Sequence, residues 1–352
     1  MGAPTALRPA VAAGKPVRCE QGWFTSIRSP LGNGYRLIAA SPGLSAAEKR
    51  ELVACAPTHD SLCDQSANGR GLAAFRLSSG RWCLFLSRHA GREPTARGGW
   101  LVETHVLVLE PDAYQQFGFN PLCVQAARDV ALLSPADTRR SCLPPLELTS
   151  GLAATSAFDC AVAVDEPEIK QLSAVTAAVL EGTPVIGTVA NPARALGGLM
   201  TAVPTAIRSR LSISCGLRFT PTRAFTLVLT DRLSHERLRL AEEHGYRVIK
   251  EAAFTLEPSA FEPWLRLAED SWRRGGAAEL DRISRQLTET CSAQALTQVA
   301  AMWLDLDLAE GADEATRRAI CERHENTQAL SSVYDNLRER LRASRDAHET
   351  AW

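Results

Sequence analysis

The spacing of hydrophobic and polar positions changes character twice along the chain. Up to about residue 150 the apolar runs are short and bounded by turn residues, the pattern of strands. Tyr35-Arg36-Leu37-Ile38-Ala39-Ala40 reads as a strand entered through the turn Gly32-Asn33-Gly34. Arg81 to Ser87 is a nearly all-apolar strand. Gly99 to Glu110 is the longest. Trp100, Val102, Thr104, Val106 and Val108 point one way, and Leu101, Glu103, His105, Leu107 and Leu109 the other. Both faces are largely apolar, which predicts a strand at the centre of its sheet. Ser45 and Glu48 form a capping box for a helix ending near Ala54, and Asn120-Pro121 starts another that runs to about Leu133. Residues 134–150 carry three prolines and read as a linker.

From about 151 to 256 strand and helix patterns alternate. Asp159 to Val164, Val185 to Val189, Leu211 to Leu217, Ala224 to Thr230 and Tyr246 to Lys250 read as strands. Asp165 and Glu168 cap a helix with Ile169, Leu172, Val175 and Val179 on one stripe, stopped by Gly182. Asn191-Pro192 starts a second helix and Ser234 a third, which Gly245 ends. Such alternation predicts an α/β layer with a partly parallel sheet. From about 257 the apolar residues recur at 3.6-residue spacing. Ser259 and Glu262 read as a capping box before Phe261, Trp264, Leu265 and Trp272, and Gly275-Gly276 breaks that helix. Further helices are marked by Leu280, Ile283 and Leu287, by Leu296, Val299, Met302 and Trp303, and by Leu330, Val333, Leu337 and Leu341.

The predicted fold class is therefore mixed, α+β with α/β. It comprises a disordered leader (1–17), a β-rich N-terminal domain (18–150), an α/β middle domain with a partly parallel sheet (151–256) and a helical C-terminal bundle (257–352). A length of 352 residues fits two or three domains. The net charge of −1 lacks the basic excess of a nucleic-acid partner. No uncharged apolar run is long enough to span a membrane, and the start of the chain lacks a signal peptide's apolar core. A cytoplasmic protein is the expectation. Its ten cysteines form no Cys-x-x-Cys, and several sit in apolar runs, as Cys83 does in Trp82 to Leu86. They read as reduced, buried thiols.

The search for chemistry returns little. No glycine-rich phosphate loop follows any predicted strand; Ala190-Asn191-Pro192-Ala193 has neither glycine nor lysine. His235 and His244 are nine apart and share no metal-binding helical face. No metal and no cofactor are expected. The catalytic candidates are Cys83 with His105, on neighbouring strands, and His59, which Asp60 could orient. For His105 the plainer reading is a satisfied core histidine, and for His59 a loop residue bonding local backbone. The segment Ser87 to Gly99 joins two apolar strands and carries Arg88, Arg92 and Arg97, a loop composition suited to partner recognition.

Cys19-Glu20-Gln21-Gly22-Trp23-Phe24-Thr25-Ser26, Gly34 to Leu44, Pro57 to Leu62, Leu86-Ser87-Arg88 and Gly98-Gly99 to Val108 together resemble the type-2 N-terminal domain of bacterial GTPase-associated proteins. The stretch Pro184-Val185-Ile186-Gly187, a helix, and Val203 to Gly216 is similar to the middle region of the same proteins, so the resemblance spans about 18–230. It implies a non-enzymatic adaptor or regulator that binds a small GTPase or another component of a multi-gene bacterial system, conflict or defence systems included. It supplies no catalytic residue. The alternative is a hydrolase or transferase with a Cys/His site in the N-terminal domain. Self-association through the C-terminal helices is a third expectation; neither nucleic acid nor membrane is expected as a partner.

Overall fold

The computed structural model describes residues 14–28, 33–93, 99–131, 141–151, 166–223, 225–250, 259–289 and 291–349. The chain divides into two units. One is residues 1–156 with 212–218, the other 157–211 with 219–352. The expected strand 159–164, the cap at Asp165, Cys160 and Arg97 lie outside the described residues.

In the first unit the strands are β1 (Pro16–Ile27), β2 (Gly34–Ala40), β3 (Arg70–Arg76), β4 (Trp82–Arg92), β5 (Trp100–Leu109) and β6 (Leu146–Thr149). Helices α1 (Ala46–Cys55), α2 (Pro111–Gln115) and α3 (Pro121–Ala131) connect them. The sheet is antiparallel, β3–β4–β5–β1–β2, with β6 pairing the first residues of β1. As the two-sided apolar pattern predicts, β5 is central, between β4 and β1. Cys83, Leu84, Phe85, Val106, Leu107 and Leu109 have no exposed surface. Each large apolar side chain so buried contributes about 1.5–3 kcal/mol. The Ser45 box is formed as expected. Ser45 Oγ accepts from the Glu48 amide, and the Glu48 carboxylate accepts from the Ser45 amide.

Three expectations for this unit change. β1 begins at Pro16, inside the segment read as leader, and Val17 is buried. β6 falls inside the proline-containing segment read as a linker; its residues extend the sheet by pairing with Pro16 to Cys19. β4 also runs five residues further than its apolar stretch, to Arg92, because backbone pairing with β5 continues beyond the core.

In the second unit α4 (Glu166–Leu180), β7 (Val185–Thr188), α5 (Pro192–Ala202) and α6 (Thr205–Arg208) precede a return of the chain to the first unit. There β8 (Ile213–Cys215) pairs antiparallel with β3. β9 (Leu227–Thr230), α7 (His235–Glu243) and β10 (Arg247–Lys250) follow, and β10–β7–β9 is a parallel sheet. The partly parallel sheet of the predicted fold class is thus present, but the strand read at 211–217 pairs elsewhere.

The remaining elements are helical: α8 (Glu262–Arg273), α9 (Ala277–Gln286), α10 (Ala293–Gly311), α11 (Glu314–Glu325) and α12 (Ser332–Glu349). The predicted capping box at Ser259 does not form. α8 starts two residues later than that box requires, with Pro263 in its first turn, and Ser259 Oγ accepts from the Phe261 amide instead. α8 lies along α4, joined by Lys170–Glu269 (2.5 Å) and Arg273–Glu166 (2.8 Å). Two indole N–H groups hold it to the end of α5: Trp264 donates to the Ala202 carbonyl (2.8 Å) and Trp272 to Thr201 Oγ1 (3.0 Å). The buried Arg208 donates to the Val203 carbonyl and to Asp281 on α9.

Candidate partner-binding site

The far end of the β4–β5 pair departs from regular strand geometry. From Trp82↔Leu109 to His89↔Val102 each step along β4 matches one along β5. Beyond His89 one extra residue enters β4, so Trp100 faces Arg92 rather than Gly91. This is a β-bulge, which bends a strand and re-aims its side chains. Gly91 supplies the φ of +97° that it uses, a backbone state costly to other residues.

The bulge assembles a stack. The Arg92 guanidinium lies over the Trp100 ring at 4.6 Å, and the His89 imidazole stacks on the same ring at 5.5 Å with an 18° tilt. His89 is fixed from behind by Nδ1 against the Ser66 carbonyl (2.6 Å). Arg92 is exposed, and among the described residues its side chain makes no hydrogen bond and no ion pair. Its neighbour Glu93 turns inward and is buried. There it accepts from Ser26 Oγ (2.7 Å) and Tyr35 Oη (3.2 Å).

Arg88 differs. It is exposed, yet Glu103 across the strand pair takes two of its donors, at 2.7 and 3.0 Å. Both arginines stand on β4 itself, where the sequence pattern placed a loop. His59 lies beside this region. Gly99, with φ +84°, approaches so closely that an added Cβ would sit 2.5 Å from His59 Cε1. His59 Nε2 meets Asp60 at 3.1 Å, and Nδ1 is buried without a partner in the described residues. Asp60 itself has φ +59°.

The catalytic candidates do not come together. Cys83 pairs with Val108 and His105 with Leu86, and residues 83 and 86 are three apart on a regular strand. Their side chains therefore project from opposite faces of the sheet, and no hydrogen bond can join them. His105 is held on both ring nitrogens. Nδ1 accepts from Arg128 Nε (3.1 Å), Nε2 faces Gln21 Oε1 (2.9 Å), and the ring stacks on Trp23 at 4.6 Å. Burial, helped by Arg128 and Arg88, lowers its pKa to about 3, so it is a neutral core histidine. Burial also pushes the Cys83 thiol well above its ordinary pKa, which suppresses the nucleophilic thiolate.

Among the described residues no group of three or more His, Cys, Asp and Glu side chains could hold a metal ion. His244 caps α7 through the Leu240 carbonyl. No described helix is long and apolar enough to cross a membrane. Compared with known families, residues 18–149 match GTPase-associated protein 1, N-terminal domain type 2. That span holds β1 from Arg18 onward and all of β2 to β6, and therefore the Arg92–Trp100 contact. No curated protein matches the chain.

Proposed function

We propose that this GTPase-associated domain makes the protein a non-enzymatic adaptor or regulator. Its partner is a small GTPase or another component of the same multi-gene bacterial system, conflict or defence systems included, in the cytoplasm. One observation carries the reading: the end of the β4–β5 pair turns Arg88 and Arg92 outward, whereas His105 and Cys83 are locked in the sheet. Small GTPases tend to be acidic around their nucleotide and switch regions. Exposed charges of this kind speed encounter more than they tighten binding.

The test is titration of the full chain with a purified small GTPase encoded beside it, loaded with GDP or a non-hydrolysable GTP analogue. Wild type binds, and the variant with Arg88, Arg92 and Arg97 all replaced by alanine does not. That variant should keep its melting temperature, since Arg88 and Arg92 are exposed and surface substitutions move stability by about 0.5 kcal/mol or less. The protein alone should take up neither GTP nor ATP at micromolar concentration, because no glycine-rich phosphate loop follows its described strands. Normal binding by the triple variant would move the interface elsewhere. The C-terminal helices, where Leu304 and Leu308 are exposed on α10, are then the next candidate for partner binding or self-association.

A further inference from the structure

We infer that Arg92, stacked on Trp100, is the anchor of this surface and receives a carboxylate of an acidic protein partner, and that Arg88 is not. The inference rests on the partner reading above and ranks the arginines within it. Three features separate the two side chains. Arg88 already spends two donors on Glu103, so recruiting it means breaking a formed pair. Arg92 has no described acceptor, and Glu93, the nearest carboxylate in sequence, is turned inward to Ser26 and Tyr35. Finally, the bulge at Gly91 places the Arg92 guanidinium over an aromatic ring, its Cζ 4.6 Å from the Trp100 centroid.

The contact matters because a guanidinium that meets a ring with its face keeps its edge free. The N–H donors of that edge form the fork that matches a carboxylate bidentately. It also reduces the side-chain freedom that an unstacked arginine loses on binding. An arginine already ordered beside a half-buried tryptophan has the composition of an interface hot spot. Lysine keeps the charge but not the planar fork, so the site should discriminate between them.

Two measurements on the full chain test this. In the GTPase titration Arg92→Ala should weaken binding about 30-fold, Arg92→Lys nearly as much, and Arg88→Ala less than threefold. Wild-type binding that Arg92→Ala leaves within twofold overturns the anchor while sparing the partner reading. Absence of wild-type binding to either nucleotide form sinks the partner reading itself, and the second measurement then decides the anchor alone. In that measurement the arginine Nε–H signals are followed by NMR while tri-glutamate is added. The Arg92 signal should move and the Arg88 signal should stay. Equal movement of both, no movement, or equal movement of Arg92 with inorganic phosphate at matched ionic strength overturns the inference.

Discussion

At the centre of the first unit's sheet the polar groups are kept uncharged. Ser87 and Thr104 bond each other at 2.8 Å, and His105 is a neutral ring between Gln21 and Arg128. In the second unit the seam between α5–α6 and α9 is built on a charge. Arg208 has no exposed side-chain surface and spans from the Val203 carbonyl to Asp281. Neutral hydrogen bonds follow Thr205 Oγ1 and Ser284 Oγ across the same seam. A sheet centre gains its stability from apolar area and needs its polar groups only to be satisfied. At a seam between short helices a buried cation is expected to help specify which helices meet. The two regions should therefore fail differently.

The largest expected effect is at Arg208. Replacing it with alanine leaves the Val203 carbonyl without that donor and Asp281 with Arg285 as its remaining described partner (2.7 Å). Breaking a buried pair from one side costs about 3–5 kcal/mol. Urea unfolding should show that loss, and hydrogen exchange should locate it at residues 201–208 and 277–287. Arg208→Met, which removes the charge and keeps volume, should lose clearly less. If alanine and methionine cost the same small amount, the seam is held by packing and the contrast with the sheet disappears.

The neutral histidine gives the next effect, with a definite sign. His105 titrates near pH 3 in the folded protein and near 6.5 when unfolded. Between those values the unfolded chain binds the extra proton, so stability rises with pH across the window and is fully restored above about 6.5. Acidification from 6.5 to 4.5 should cost up to about 1.4 kcal/mol per pH unit from this residue. Glu48 joins below about 4.5. Burial disfavours its charge, but hydrogen bonds from Arg81, Ser79 and Ser45 prevail and hold it at about 2. His105→Gln, measured against wild type by urea titration at several pH values, should flatten the upper part of the curve. An unchanged slope there would mean that His105 charges in place.

These contrasts also mark what was legible in the sequence. The two-sided apolar pattern of Gly99 to Glu110 identified the central strand, and Ser45 with Glu48 fixed the start of α1. Both signals are local, set by residues that touch their sequence neighbours. β3 carries no clear local signal, and β6 reads as linker, because only the partner strand says what a short segment pairs with. The same holds for β8, whose partners Leu72 to Ala74 are about 140 residues away. At the candidate site the arginines could be named, but the bulge could not. It depends on the count of residues between two strands, and only the pairing shows that Trp100 meets Arg92. Cys83 and His105 looked close for the reverse reason: neighbouring strands were evident, and their register was not.

The smallest effect leaves stability untouched and asks whether the two units open separately. Cys142 is exposed, whereas Cys19, Cys83 and Cys215 in the first unit and Cys321 in the second are buried. Burial pushes the Cys19 thiol up to about 12 and raises those of Cys83 and Cys215 as well. Only the thiolate attacks an alkylating reagent, so a buried cysteine reacts only after its surroundings open. Iodoacetamide at neutral pH should label Cys142 first and leave Cys83 silent in native protein. In low urea the labelling rates become reporters of local opening. Cys83 and Cys215 should gain reactivity together, since both sit in the sheet that β3 shares with β4 and β8. Cys321 should follow its own urea dependence, and Arg208→Ala should accelerate it without moving the other two. Parallel acceleration of all three would mean that the chain opens as one cooperative body.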